Sequence, residues 1–255
     1  MDLKAAIDSI WECTNQGIYY PPEWKGKLSV EEGYRVQLGL LDRYLDTGER
    51  HAGWKVGLTA KAIQEQIGFH EPVFGFLLER DRRTSGVVIS SEELVAPSFE
   101  IELCLTVGKS LQGPKVSLHE ANAAVTAVQP AFEIVEMRGD FTADFSLALA
   151  DNVQQKFYVT GEPVPVDGAR ADLSQATVEI FINGERVDAA SGSNVMGGPA
   201  ASVAWLANRL ADFGRGLEEG VCIMSGSFTR QYPIAQGDVI EASFDPYGKV
   251  SAEFS

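Results

Sequence analysis

The chain has 255 residues, of which 45% are hydrophobic and 22% charged, enough for a real hydrophobic core, so a disordered or fibrous protein is excluded. Twenty-one Lys and Arg against 36 Asp and Glu leave a formal net charge of −15, which repels nucleic acids and anionic membrane surfaces; neither is expected as a partner. With no leader-like start and no long apolar run, we expect a cytoplasmic protein. The three distant cysteines, Cys13, Cys104 and Cys222, are expected to be free thiols, without a zinc site.

The first 80 residues are predicted to be mainly helical. Apolar residues three and four apart predict a first helix from Asp2 to Thr14. Ser29 and Glu32 match a capping box, which begins a second helix that ends near Thr47. Three shorter features are predicted next: a strand from Gly53 to Leu58, a helix capped by Thr59 that runs to Ile67 and is stopped by Gly68, and a Pro-containing turn from Glu71 to Gly75.

Strand-like segments dominate the rest of the chain. They are Gly86 to Ile89, Glu100 to Val107, Ala131 to Glu136, Val178 to Ile182, Val221 to Met224, Val239 to Phe244 and Val250 to Phe254. Helices are predicted from Ser117 and from Pro199, and Asn183-Gly184 is typical of a hairpin turn. The pattern predicts an α+β fold in one integrated unit: a helical N-terminal part, residues 1–80, packed against a sheet-rich domain, residues 81–255.

Three glutamates lie in segments that otherwise resemble core strands. Because side chains alternate along a strand, Glu100 and Glu102 project from the same face, about 7 Å apart. Glu133 lies between apolar neighbours in another predicted strand and could reach the same pocket. Three carboxylates form an oxygen site suited to Mg²⁺ or Mn²⁺. Alternatively, the glutamates face solvent from one side of an antiparallel sheet.

Other polar residues are candidates for a site. Lys55, between Trp54 and Val56, could be desolvated, which would lower its pKa and suit it to proton transfer or to holding a carboxylate. It could equally be a surface lysine whose stem covers apolar neighbours. Asp151-Asn152 and the segment from Ser225 to Arg230 follow apolar runs, where ligands are commonly held, although the first pair could simply form a turn. No histidine spacing, nucleophile elbow or nucleotide-binding pattern is present.

Several of these segments occur in the order found in one family. They are Lys55 to Thr59, Glu71 to Gly75, Glu100 with Glu102, Pro130 to Val135, Ala150 to Asn152 and Pro199 to Asn208. From about Glu32 to Phe254 the chain resembles the 2-oxopent-4-enoate hydratase and 4-oxalocrotonate decarboxylase family, within the fumarylacetoacetate hydrolase-like superfamily. The resemblance implies a mixed β-sheet roll or sandwich of that superfamily's type, with the helical N-terminal part packed on it.

The resemblance also implies an activity and a site. The family's members are cytoplasmic, oligomeric lyases that depend on Mg²⁺ or Mn²⁺ and act on small 2-oxo acids from the meta-cleavage of aromatic compounds; a homo-oligomer is expected, alone or in complex with a sister lyase. By position, Glu100, Glu102 and Glu133 match the metal ligands and Lys55 the active-site lysine. The substrate-binding positions implied in the same way are Leu58, Thr59, Asn152, Ser227 and Arg230.

The chain also departs from the family pattern. Val73 stands where hydratases of the family usually carry Asp, which favours the decarboxylase branch, and Val153-Gln154 replaces a usual Ala-Ser. In contrast, the segment from Gly226 to Arg230 resembles a hydratase of a seven-carbon dioate; Arg230 could pair with a distal carboxylate or be a surface arginine.

We therefore expect a hydratase that converts 2-hydroxypenta-2,4-dienoate, or a related dioate, into a 4-hydroxy-2-oxo acid. The first alternative is decarboxylation of 4-oxalocrotonate (2-oxohex-3-enedioate). The second is a catalytically weak partner subunit of a mixed oligomer, an interpretation that three clustered acids argue against because a silent subunit has no physical need for them.

Overall fold

The computed structural model describes residues 2–255. Its α-helices are α1 (Leu3–Asn15), α2 (Val30–Asp46), α3 (Lys61–Ile67), α4 (Leu118–Ala124), α5 (Phe145–Ala150) and α6 (Pro199–Ala211). Its strands are β1 (His51–Gly57), β2 (Val73–Leu78), β3 (Arg82–Thr84), β4 (Val87–Ile89), β5 (Pro97–Val107), β6 (Val125–Glu136), β7 (Gln155–Thr160), β8 (Val164–Pro165), β9 (Thr177–Ile182), β10 (Glu185–Ser191), β11 (Cys222–Met224), β12 (Tyr232–Pro233), β13 (Val239–Asp245) and β14 (Gly248–Phe254). Across residues 2–255 no helix is long and apolar enough to cross a membrane.

The strands form two mixed sheets. The larger has the order β2-β1-β11-β5-β6-β7-β3, with β12 added to β5 and β8 to β6; the smaller has the order β10-β9-β13-β14-β4. The strands β2 and β3 at the two edges of the larger sheet are joined by one 3₁₀ turn, Glu79–Asp81. So short a connection brings the two edges close together, and the larger sheet therefore curls into a half-barrel.

The two faces of the half-barrel bury different side chains. On β5, Phe99, Ile101 and Leu103 point outward into the main core, which also includes residues of α2, α6 and the smaller sheet. Cys104 and Met224 belong to a separate buried cluster on the inner face. By strand alternation, Glu100 and Glu102 share the inner face with Cys104, so the carboxylates point into the half-barrel.

Most of the predicted elements are confirmed, and the α+β fold with them. The capping boxes at α2 and α4 are present, the Asn183-Gly184 turn joins β9 to β10, and Gly68 ends α3 in the left-handed conformation. All three cysteines are free. β1 and β2 lie within residues 1–80 yet pair in the half-barrel, so the sheet begins earlier than expected; the division at residue 80 itself stays a prediction.

Two local predictions are wrong. The segment from Glu71 to Gly75 does not end in a turn, because β2 begins at Val73 and Gly75 pairs with Lys55 within the strand. Thr59 does not cap α3: the residue before the helix is Ala60, which makes no side-chain cap. Leu58 takes a left-handed φ of 53°, which turns the chain before the helix can begin.

Candidate metal centre

The sheet register brings the three predicted glutamates together. β5 and β6 are antiparallel, with Glu100 directly opposite Glu133 and Glu102 opposite Ala131. One carboxylate oxygen from each of the three glutamates lies within 4.8 Å of the others. Glu102 and Glu133 are fully buried, whereas Glu100 is half-buried. The interpretation that all three face solvent is therefore wrong.

Lys55 lies beside this cluster. It projects from β1, is only 3% exposed, and its Nζ atom is 3.1 Å from Glu133 Oε1. Burial opposes the charge of the ammonium group, but the carboxylates of Glu133, Glu100 and Glu102 outweigh it, so the pKa of Lys55 is raised above its ordinary value. The sequence-based expectation of a lowered pKa is wrong for this reason: the lysine is desolvated among negative charges.

The carboxylates themselves are held in an unfavourable environment. Burial, together with the neighbouring charges of Glu133 and Glu100, raises the pKa of Glu102 well above its ordinary value. Burial likewise raises the pKa of Glu133, although Lys55 opposes the shift. Carboxylates packed this closely in a desolvated pocket repel one another unless a cation is shared between them. One lysine does not neutralise three carboxylates.

Two of the carboxylates accept a hydrogen bond, each from a different donor. The Gly226 N–H donates to Glu102 Oε2 at 2.8 Å, and Gln231 Nε2 donates to Glu100 Oε1. Glu102 Oε1 and both carboxylate oxygens of Glu133 are buried and have no hydrogen-bond partner among the described residues, although Lys55 forms an ion pair with Glu133 Oε1. Buried unpartnered carboxylate oxygens are costly and call for a cation. Carboxylate oxygens that converge in this way are suitable ligands for a hard divalent ion such as Mg²⁺ or Mn²⁺.

The backbone geometry that places this N–H beside Glu102 requires a glycine at position 226. Its φ of +102° lies in a region that favours glycine, and a Cβ there would lie 2.4 Å from Thr59 Cγ2. The buried Thr59 side chain therefore packs directly against the backbone that holds Glu102. The Leu58 carbonyl accepts a hydrogen bond from Gln64 Nε2 at 2.7 Å. The substrate-binding roles predicted for Leu58 and Thr59 stay predictions.

Asn152 lies near Lys55, but its side chain is engaged elsewhere. Its Oδ1 accepts from the Phe76 N–H at 2.8 Å and its Nδ2 donates to the Phe76 carbonyl at 3.0 Å, so the amide clamps β2. A Cβ at Gly75 would lie 2.8 Å from Asn152 Oδ1 and 3.3 Å from Lys55 Cγ. Gly75 thus lets Asn152 and Lys55 approach the same strand. The substrate-binding role predicted for Asn152 stays a prediction.

A second buried ion network lies next to Asn152 along the chain. Arg138 Nε donates to Asp151 Oδ2 at 2.8 Å, and its NH1 donates to Glu136 Oε2 at 3.0 Å. The Arg138 NH2 group also donates to the Asp151 carbonyl at 2.9 Å, which fixes the backbone just before Asn152. This network was not predicted. The available signal was Glu136 at the end of an apolar strand, followed by Arg138.

The segment after β11 meets the predictions only in part. Ser227 Oγ accepts from the Ile101 N–H at 3.2 Å, so it lies against β5 between two of the glutamates. Arg230 is exposed and stacks on the Tyr232 ring, with its guanidinium carbon 4.9 Å from the ring centroid. Their roles towards a substrate stay predictions. Gln231, which contacts Glu100, was missed, because nothing distinguishes an exposed loop glutamine in the sequence.

Val73 is an apolar neighbour of Lys55. A Cβ at Gly57 would lie 3.2 Å from Val73 Cγ2 and 3.4 Å from Lys55 Nζ, so both side chains border the same glycine. The Val73 side chain and the Lys55 ammonium group therefore lie on the same side of the sheet.

Comparisons with known proteins agree with this architecture. The family model described as fumarylacetoacetate (FAA) hydrolase C-terminal matches residues 70–255. A 2-hydroxyhexa-2,4-dienoate hydratase of Comamonas testosteroni is 35% identical over 232 residues, covering 90% of this chain and 88% of the relative. A 4-oxalocrotonate decarboxylase of Pseudomonas putida is 32% identical over 229 residues, covering 89% of this chain and 86% of the relative.

Solved structures agree as well. The 4-oxalocrotonate decarboxylase from Pseudomonas putida G7, complexed with magnesium and adipate, superposes with a TM-score of 0.91 at 30% identity and covers 99% of this chain and 97% of its own.

Proposed function

The chain belongs to the fumarylacetoacetate hydrolase family, and from this premise we propose that it is a divalent-metal-dependent lyase that adds water to a 2-hydroxydienoate. The products would be 4-hydroxy-2-oxo acids, with 2-hydroxypenta-2,4-dienoate or a related dioate as the substrate. The observation that carries the proposal is the convergence of Glu100, Glu102 and Glu133 on one point beside Lys55, with carboxylate oxygens left free.

The metal would be held by these three glutamates, and a magnesium complex of a related decarboxylase supports a divalent ion. Such an ion would bind the carboxylate and 2-oxo oxygens of the substrate and stabilise negative charge that develops there. We propose Mg²⁺ or Mn²⁺ because all the proposed ligand atoms are carboxylate oxygens. The family resemblance further supports a cytoplasmic homo-oligomer acting on small 2-oxo acids.

Lys55 is proposed to be the proton-handling group. The pKa of Lys55 is raised, so the side chain is a cation. Its Nζ atom lies 3.1 Å from Oε1 of Glu133, a proposed metal ligand, where a bound substrate would meet it. As a buried ammonium group it can stabilise negative charge on the substrate or donate a proton during ketonisation. Ketonisation moves the enol proton of 2-hydroxypenta-2,4-dienoate to C5 and leaves a double bond between C3 and C4. One water then adds across that bond, with its hydroxyl at C4 and its proton at C3.

Decarboxylation of 4-oxalocrotonate is the second candidate, and Val73 favours it. Loss of CO₂ needs the same stabilisation of negative charge at the oxo group but no group to activate an added water. The apolar side chain beside Lys55 supplies no such group. We rank hydration first because the relative at 35% identity is named a hydratase and because the segment from Gly226 to Arg230 resembles a hydratase of a seven-carbon dioate.

Product analysis by NMR separates the two reactions. The purified protein with Mg²⁺ is incubated with freshly prepared 2-hydroxypenta-2,4-dienoate and, separately, with 2-oxohex-3-enedioate; the same reactions with EDTA are the control. A metal-dependent 4-hydroxy-2-oxo product establishes the hydratase, whereas CO₂ released from the diacid establishes the decarboxylase. No reaction with either substrate contradicts both assignments.

A further inference from the structure

The three carboxylates of the candidate metal centre differ in how they are held. Glu133 forms an ion pair with Lys55, Glu102 accepts from the Gly226 N–H, and Glu100 accepts from the Gln231 side chain. Lys55 on β1 is buried, as is Gly226 in the loop between β11 and β12. Gln231 lies in the same loop, but its side chain is exposed, and this contact is its one side-chain hydrogen bond among the described residues.

The backbone brings Gln231 to this position. Tyr232 in β12 pairs with Phe99 in β5, so the preceding residue lies next to Glu100 along the antiparallel pair. The Tyr232 ring stacks on the Phe99 ring with centroids 5.5 Å apart, which fixes the start of β12. Glu100 is also the least buried of the three glutamates, so packing restrains its side chain least.

We propose that Gln231 is a positioning residue that orients Glu100 for a divalent ion and so raises the affinity of the centre. The inference rests on the proposed function, because it takes Glu100 as a metal ligand. A neutral carboxamide orients the carboxylate without neutralising it, whereas the ammonium group of Lys55 competes with a cation for Glu133. Donors that pre-orient ligating carboxylates reduce the ordering that metal binding would otherwise require.

Equilibrium binding of Mn²⁺ to the metal-free protein, followed by the EPR signal of the free ion, tests this role. Gln231→Met keeps the length of the side chain and removes its donors. We expect the Kd for Mn²⁺ to rise by about tenfold, at the lower end of the range for hydrogen-bond partners of metal ligands because water can reach this exposed site. The matched control is Gln112→Met, another exposed glutamine, which donates to the Arg215 carbonyl. Its Kd should equal that of the wild type.

The melting temperature of each metal-free variant checks that the fold is intact, and we expect no change for Gln231→Met. A Kd within twofold of the wild type would overturn the positioning role. Glu102→Gln distinguishes a failure of the positioning role from a failure of the metal centre itself. Wild-type binding that is lost in Glu102→Gln but unchanged in Gln231→Met refutes only the role of Gln231, whereas a wild-type protein that binds no Mn²⁺ refutes the proposed metal centre.

Discussion

Glu102 shows how one residue can be unfavourable for the fold and useful for the site. It is fully buried, one of its oxygens has no partner, and burial raises its pKa. Glu102→Gln should abolish metal-dependent turnover, because a neutral amide is a poor ligand for Mg²⁺. The metal-free variant should be at least as stable as the wild type, because a buried charge is removed.

Thermal unfolding with and without Mg²⁺ checks both parts, with Glu241→Gln on the surface of β13 as the control. Glu102→Gln should lose the rise in melting temperature that Mg²⁺ gives the wild type. Unchanged turnover in this variant would remove Glu102 from the site.

Lys55 is expected to act on the reaction more than on binding. Lys55→Met should lower kcat by about 10²- to 10⁴-fold, the usual range for an acid or base catalyst. Lys249→Met is the control, because that lysine is exposed and pairs with Glu241 on the smaller sheet rather than with one of the three glutamates. Steady-state kinetics decide the role: a raised KM with an unchanged kcat would make Lys55 a binding residue.

Val73 provides a test of the branch assignment. Val73→Asp introduces an acid beside Lys55, where a water could be activated, so we expect hydration of 2-hydroxypenta-2,4-dienoate to become faster. Val73→Asn matches the shape without the acid and should not have this effect. Equal or slower hydration in Val73→Asp, in a variant shown to be folded by circular dichroism, would contradict a role for this position in the choice of reaction.

The three candidate ligands could be singled out from the sequence, but not all of the residues that orient them. Glu100, Glu102 and Glu133 stand out because charged residues in apolar strands need a reason to be there. Gln231 does not stand out, since its contact depends on the pairing of β12 with β5, which no local pattern reveals. The pKa of Lys55 was predicted in the wrong direction because its carboxylate neighbours come from other strands.

At the scale of elements, the half-barrel depends on a buried ion network at one edge. Arg138 bridges Glu136 and Asp151 and thereby fixes the turn whose Asn152 side chain clamps β2. Arg138→Met leaves the buried Asp151 carboxylate without its ion-pair partner and leaves Glu136 with Lys156 alone, so we expect a loss of about 3–5 kcal/mol in the free energy of unfolding.

Urea denaturation measures this loss. The control is Arg186→Met, since Arg186 forms an ion pair with Glu179 in which both side chains are more than half exposed, and such pairs contribute about 0–1 kcal/mol. Equal stability of the two variants would contradict a structural role for the network.

Strand β2 shows why some elements could not be predicted. Pro72 and Gly75 resemble turn signals, yet Gly75 is needed because a side chain there would collide with Asn152, and β2 continues through it. The periodic helices α1 and α2 were predicted closely because their signals are local. Glycine required by a distant contact gives the same local pattern as glycine required by a turn.

At the scale of the whole molecule, the net charge of −15 opposes an anionic substrate. The field of the protein should slow the approach of a dianion such as 2-oxohex-3-enedioate. Raising the salt concentration from about 10 to about 100 mM shortens the Debye length from about 30 to about 10 Å, so kcat/KM for this dianion should rise. The monoanionic pentadienoate should show a smaller rise. A fall in kcat/KM with salt would mean that a local positive field guides the substrate.

We expect Glu100, Glu102 and Glu133 to bind one divalent metal ion together, inside the half-barrel. The most direct measurement is an anomalous difference map from crystals grown with Mn²⁺, of the wild type and of Glu102→Gln. We predict one strong peak per chain between the three carboxylates, absent from Glu102→Gln. A wild-type crystal without that peak, from protein that retains metal-dependent turnover, would contradict the claim.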